Sequence, residues 1–226
     1  MAKGAHIYLA RVVIERLLGL LLFLIGSSWT IGAAGIMWFI FYFAAAGVVL
    51  ALYRVNPESM DQRTNIVATK DSTPLWDKKL LTAFWLLGYF VIYFVAGLFF
   101  GDHAAAPTKL AFGLILYALS TGLTYWALRE NKFAESTARL QPERNQTVCT
   151  SGPYALVRHP MYTAILMWCI CIVMVFPCLP VLAVSALTAA IIVKRTKLED
   201  AMLAEGLPGY QEYQQRTKHM LIPFVF

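Results

Sequence analysis

Residues 161–193 read MYTAILMWCICIVMVFPCLPVLAVSALTAAIIV, 33 residues without Asp, Glu, Lys, Arg or His. A membrane-spanning helix needs about 20 apolar residues, so this run is too long for one span. Pro177-Cys178-Leu179-Pro180 lies near its middle, and the two prolines remove backbone donors and break a helix. The stretch therefore predicts a helical hairpin, Met161–Phe176 and Val181 onward. Its arms are short, and Lys194 and Arg195 extend the second by snorkelling to the interface. Three further uncharged runs precede it: Leu17–Tyr53 (37 residues), Leu80–Gly101 (22) and Leu110–Leu128 (19). The first must also be split, and Gly26-Ser27-Ser28-Trp29-Thr30-Ile31-Gly32, followed by Gly35, supplies the turn. The fold class is all-α, a polytopic membrane protein of five to six transmembrane helices ending in a C-terminal helical hairpin. Residues 1–128 form the N-terminal helices, four in number. Residues 129–226 form a second region with a cytoplasmic loop, the hairpin over 161–199 and a C-terminal cytoplasmic segment.

Composition agrees with this layout. The 226 residues are 59% hydrophobic and 14% charged, against about 25% charged in soluble domains. Disorder, a disulfide scaffold and a cytosolic enzyme are excluded. With the N-terminus in the cytoplasm, 18 of the 19 basic residues fall on the cytoplasmic side, Lys109 being the exception. The positive-inside rule then places both termini in the cytoplasm, and the net charge of +6 faces anionic headgroups. Basic residues dispersed over four segments argue against nucleic acid. The first apolar stretch runs straight into a second helix, so it reads as a signal anchor and not a cleaved signal peptide. Cys149, Cys169, Cys171 and Cys178 show no CxxC pair and no His at metal spacing; they read as small buried hydrophobes, with no metal. There is no internal repeat.

Specific polar residues concentrate in two stretches. The first is Gln141–Tyr162, which contains Ser151-Gly152-Pro153 turn chemistry and ends in Arg158-His159-Pro160-Met161-Tyr162 at the mouth of the hairpin. Pro160 suits the first turn of a helix, whose N-terminus beside Arg158 favours an anionic group. The second is Lys194–Asp200 followed by Leu207-Pro208-Gly209-Tyr210-Gln211-Glu212-Tyr213. Arg195 and Glu199, four apart, share a helix face. The hairpin makes Arg158–Tyr162 neighbours of Arg195 and Glu199. Taken singly, each residue also has a bland reading. Arg158 reads as a snorkelling anchor, Arg195 and Glu199 as a surface ion pair of little worth, and Tyr154, Tyr162, Tyr210 and Tyr213 as an interfacial aromatic belt. The residues by themselves define a polar pocket at the membrane face and name no reaction.

Their order closely resembles the isoprenylcysteine carboxyl methyltransferase family, itself similar to phospholipid N-methyltransferases. The resemblance rests on Gly152-Pro153-Tyr154, then Arg158-His159-Pro160-Met161-Tyr162, an apolar hairpin, Arg195-x-x-x-Glu199-Asp200-x-x-Leu203, Gly209-Tyr210-x-x-Tyr213 and Leu221-Ile222-Pro223. It covers Gln141–Pro223. Asn56-Pro57-Glu58…Arg63 also looks like bacterial members, which implies a bacterial inner membrane. The resemblance implies S-adenosyl-L-methionine as cofactor, held at the cytoplasmic face without a Rossmann domain; the chain has no GxGxxG. Gln141, Gln146, Thr147, Val148, Cys149, Tyr154, Arg158, His159, Pro160, Met161, Tyr162 and Glu199 match cofactor-binding positions, and Arg195 matches the arginine that holds the methyl-accepting group. Arg195 and Glu199 are thus the expected catalytic residues. Asp200 stands where the family has a second Glu.

A carboxylate acceptor needs no general base, only a cation to orient it, whereas an amine acceptor needs a base. The expected reaction is therefore O-methylation of a lipophilic, membrane-embedded acceptor, a lipid or a lipidated substrate. Phospholipid-type N-methylation is the alternative. An NADPH-dependent sterol-type reductase shares an Arg-His-Pro-x-Tyr element but carries an acid soon after the Tyr, where this chain has Thr163 and Ala164. A transporter is disfavoured because no uncharged run is interrupted by a charge.

Overall fold

A computed structural model of the chain describes residues 3–63, 72–99 and 105–223, the side chains of residues 3–5, 58 and 59 excepted. Lys3, Glu58 and Lys70, used in the sequence reading, lie outside these described side chains. Among the described residues every regular element is helical. The helices are α1 (Lys3–Gly26), α2 (Gly32–Ala44), α3 (Gly47–Val55), α4 (Pro57–Gln62), α5 (Leu75–Trp85), α6 (Ile92–Leu98), α7 (Pro107–Glu130), α8 (Pro160–Val175), α9 (Leu179–Gly206) and α10 (Tyr210–Arg216). A π-helical turn, Leu86–Val91, joins α5 to α6.

The two breaks expected from glycine and proline are present. Ser28 (φ 50°) and Trp29 (φ 66°) turn the chain between α1 and α2. Pro180 occupies the first turn of α9, directly after the chain leaves α8. Four stretches are long and apolar enough to cross a membrane: Gly32–Val55, Leu75–Leu98, Pro107–Glu130 and Leu179–Gly206. The remaining two of the six expected helices differ from these: α8 has only 16 residues, and α1 carries Arg11, Glu15 and Arg16. The helices also extend beyond the uncharged runs, so Asp77 lies inside α5 and Arg195 inside α9. Charges are therefore present within the helical body, contrary to what the uncharged runs alone imply.

The shared core is aromatic. Phe23 of α1, Trp38 and Tyr42 of α2, Tyr93 of α6 and Tyr117 of α7 are buried against Ile172, Val175 and Phe176. Phe23 meets Phe39 and Phe176 with ring centroids 5.4 Å apart in each pair, within the favourable aromatic range. Outward-facing Phe112, Ile115 and Leu119 on α7 and Leu182 and Leu187 on α9 are exposed, as a lipid-facing surface requires. Buried Cys169, Cys171 and Cys178 pack in this body, whereas Cys149 is half-buried.

Helices α1 and α6 cross in direct backbone contact. A Cβ at Gly97 would lie 2.2 Å from the Phe23 carbonyl oxygen, and one at Gly26 would lie 2.5 Å from that of Phe94. Small residues permit such approach in membrane bundles. Gly97→Val is expected to push α1 from α6 and to cost about 1–3 kcal/mol, read as a lowered melting temperature in detergent. An Ala substitution at Gly47, where nothing lies within 4 Å, should leave it unchanged.

Candidate functional site

The chain's polar interactions gather where α8, α9, α10 and the 131–149 loop meet. Asp200 is the hub. It accepts a bidentate pair from Arg158, Nε at 2.8 Å and Nη2 at 2.9 Å. It also takes Tyr210 Oη at 2.8 Å and Gln214 Nε2 at 2.9 Å, and lies 3.0 Å from His159 Nε2. Fork-shaped guanidinium–carboxylate pairs are among the stronger hydrogen-bonded contacts. Arg158 Nη1 donates to the carbonyls of Thr217 and Lys218. The backbone N–H groups of Arg158 and His159 donate to His219 and Met220, and Thr163 Oγ1 donates to Leu221. The C-terminal segment is thereby laid along the start of α8. Burial pushes the Arg158 pKa down, but the Asp200 bonds outweigh it and the net direction is up. Burial raises the Tyr210 phenol, and the adjacent Asp200 charge raises it further, so it stays a donor.

Arg195 is engaged differently from the expected surface pair with Glu199. It is 4% exposed, its Nε donates to Asp77 Oδ1 at 2.6 Å, and its Nη2 donates to the Ser136 carbonyl at 2.7 Å. Asp77 Oδ2 accepts the Ala138 N–H at 2.9 Å. Asp77 is fully buried and is a residue that sequence reasoning missed. Its place after Pro74, in the first turn of α5 before an apolar run, is the ordinary pattern of a helix start.

Glu199, one turn on, accepts the Tyr162 hydroxyl. The Arg195 guanidinium sits 5.4 Å from the Tyr162 ring centroid, and the His159 ring stacks on Tyr162 at 5.8 Å. The tyrosines do not form an interfacial belt. Tyr154, Tyr162, Tyr210 and Tyr213 are all buried, and Tyr213 Oη donates to the Tyr154 carbonyl at 2.7 Å.

The 131–149 loop is braced by its own charges. Arg139 bonds Glu135 and Glu143, and Gln141 Nε2 donates to the Phe133 carbonyl. The Gln141 N–H donates to Gln146 Oε1, while Cys149 Sγ lies 3.7 Å from the Glu130 carbonyl. Burial raises the Cys149 thiol pKa. Gly152, at φ +57°, closes the turn into Tyr154; a Cβ there would lie 2.6 Å from the Glu130 side chain.

These parts surround one cavity of about 350 Å³, within the usual range for small-molecule sites. All twelve nominated cofactor positions and Arg195 line it. One end is polar, with Gln141, Tyr162, Arg195 and Glu199; the other is walled by α1, α2, α7 and the π-helical turn, with Val12, Tyr42, Gly88 and Tyr117. π-helical turns recur at functional sites. Arg63, between α4 and the loop, also lines the cavity.

A helical membrane protein with this constellation on its last two long helices has recognisable relatives. Residues 108–208 match the family model of phospholipid methyltransferase, in agreement with the resemblance read from the sequence. The chain is also 30% identical, over 133 residues, to the cobalt-zinc-cadmium resistance protein CzcN of Cupriavidus metallidurans. That match covers 56% of this chain and about 57% of the relative's length.

The Asp77–Arg195 pair gives a direct test of the site's framework. Asp77→Ala leaves a buried guanidinium uncompensated and is expected to cost about 3–5 kcal/mol. The double variant Asp77→Leu/Arg195→Met should recover most of that loss in a thermal-melting assay while leaving the cavity without its arginine.

Proposed function

We propose that the protein transfers a methyl group from S-adenosyl-L-methionine to a hydrophobic, membrane-embedded acceptor, with a carboxylate as the accepting group. The observation that carries this reading is the cavity that joins Tyr162, at the start of α8, with Glu199 and Arg195 of α9 to a wall built from α1, α2, α7 and the π-helical turn, where apolar and aromatic side chains stand with Arg11, Glu15 and Arg16. A water-soluble donor and a lipophilic acceptor require such a two-ended site. The family match over residues 108–208 supports the same class of reaction.

The residues present suit the donor's chemistry. Glu199 offers a carboxylate for hydroxyl or amino groups, and the Tyr162 hydroxyl bonded to it fixes its orientation. The aromatic faces of Tyr154 and Tyr162 line the same wall. When bound, S-adenosyl-L-methionine supplies a methyl group on a sulfonium that carries its own leaving group. The protein's task is then positioning and electrostatics. Arg195, held by Asp77 and the Ser136 carbonyl, keeps one face of its guanidinium at the cavity and orients the accepting oxygen there. Arg158 and His159, through Asp200, hold the start of α8 and with it Pro160, Met161 and Tyr162. Residues 129–226 form the catalytic region and residues 1–128 shape the acceptor side. The distribution of basic residues supports a cytoplasmic cofactor mouth, in a bacterial inner membrane. Phospholipid-type N-methylation is the second reading, supported by the matching family's name; it would require a base at the acceptor nitrogen.

Purified protein in detergent is expected to bind S-adenosyl-L-methionine at micromolar concentration by calorimetry, and Glu199→Ala to abolish binding without lowering the melting temperature. In membranes supplied with methyl-labelled donor, the label should enter the lipid-soluble fraction and be released by mild base, as methyl esters are. Base-stable label would support the N-methyl reading. Binding of NADPH in place of S-adenosyl-L-methionine would overturn both.

A further inference from the structure

The cavity wall contains six arginines: Arg11, Arg16, Arg63, Arg139, Arg158 and Arg195. Four are neutralised by a carboxylate of the chain: Arg11 by Glu15, Arg139 by Glu135, Arg158 by Asp200 and Arg195 by Asp77. Arg16 is half-buried, with Nε and Nη1 donating to the carbonyls of Tyr42 and Val12. Arg63 stands apart. It is only 6% exposed, and among the described residues it meets no carboxylate. Its Nη2 reaches the Glu135 carbonyl at 3.3 Å and Met161 Sδ at 3.6 Å, both long. Its Nε is buried with no hydrogen-bond partner.

Such a group is expensive. A buried charge without a counter-ion carries a large desolvation penalty, and an orphaned donor pays the cost of its lost water. A ligand anion removes both penalties at once. The guanidinium's planar fork matches a carboxylate bidentately, which an ammonium or an amide does not. Position favours the same conclusion. Met161, which Arg63 touches, is one residue from Tyr162, whose hydroxyl bonds Glu199. Glu199 in turn has no Lys or Arg within ion-pair distance among the described residues. Of the wall's arginines, Arg16 and Arg63 meet no carboxylate among the described residues, and of these two it is Arg63 whose Nε is orphaned, whereas Arg195 is paired with Asp77 and also feels the Glu199 charge one turn away.

We propose that Arg63 is the carboxylate-binding residue of the cavity, pairing with a ligand carboxylate, and that Arg195 acts beside it as a neutralised hydrogen-bond donor. This rests on the methyltransferase reading above. Two carboxylates then arise, the amino-acid end of the donor and the acid of the acceptor, and the ligands below separate them.

The test uses the full chain in nanodiscs: wild type, Arg63→Gln, Arg63→Lys and Arg54→Gln, an exposed arginine outside the cavity as control. Binding is followed by tryptophan fluorescence, since Trp85 and Trp168 line the cavity. Four ligands are compared: S-adenosyl-L-methionine, its decarboxylated form, farnesylthioacetic acid and that acid's methyl ester. Wild type should prefer the acid of at least one pair by roughly ten- to hundredfold, the worth of a charge-assisted hydrogen bond. Arg63→Gln should reduce that preference to within about twofold, Arg63→Lys should retain part of it, and Arg54→Gln should change nothing. Loss on the first pair assigns Arg63 to the donor, and loss on the second to the acceptor. A preference that survives in Arg63→Gln, an equal weakening of acid and carboxylate-free partner, or no preference in wild type overturns the proposal. Failure of wild type to bind S-adenosyl-L-methionine refutes the methyltransferase reading, while the acid and ester pair still decides Arg63. Binding of none of the four overturns both.

Discussion

The buried pair of Asp77 and Arg195 holds the two halves of the molecule in register. It joins the first turn of α5 to the middle of α9, 118 residues apart in sequence; Asp77 also accepts the Ala138 N–H and Arg195 also donates to the Ser136 carbonyl. Four parts of the molecule meet in it: the N-terminal helices, the hairpin, the loop and the cavity wall. Removing two charges from water is costly, and the cost is recovered only with good geometry and further hydrogen bonds. Here both are present, which makes the pair a device for placement as much as for stability. The loop it pins carries Glu135, Arg139 and Gln141, so the polar wall of the cavity inherits its position from this contact.

Asp200 does comparable work at the other end of the site. Its carboxylate gathers Arg158 and His159 from the turn before α8 and Tyr210 and Gln214 from α10. Arg158 spends most of its donors on Asp200 and on the carbonyls of the C-terminal segment. The Arg-His-Pro element is thus secured from behind, leaving Met161 and Tyr162 to face the cavity. The site separates charges that build the wall from charges left open on it.

Much of the helical layout is legible from two features, uncharged runs and the glycine or proline groups that interrupt them. Ser27–Ile31 and Pro177–Pro180 mark turns because they offer φ freedom or deny a donor, and these effects are local. The hairpin then makes Tyr162 and Glu199 neighbours with no further information. Arg63 and Arg16 are not legible as cavity residues, nor Asp77 as the partner of Arg195. Their roles depend on which helices lie against one another, and a charge just outside an apolar run looks solvated until a partner helix covers it. The tyrosines misled for a related reason. An amphipathic ring near a membrane surface suits the interface, and only tertiary packing draws these rings inward, Tyr162 to Glu199, Tyr210 to Asp200 and Tyr213 to the Tyr154 carbonyl.

The brevity of α8 has a consequence for the surrounding lipid. Its 16 residues rise about 24 Å at 1.5 Å each, short of the roughly 30 Å hydrocarbon thickness of a bilayer. A bilayer meets such mismatch by thinning. The thinned rim falls beside Pro160, Met161 and Tyr162, at the cavity. An amphiphile in that leaflet has its polar end drawn down toward the level of Glu199, so in the proposed reaction part of the work of lifting the acceptor out of the membrane would be done by the membrane itself.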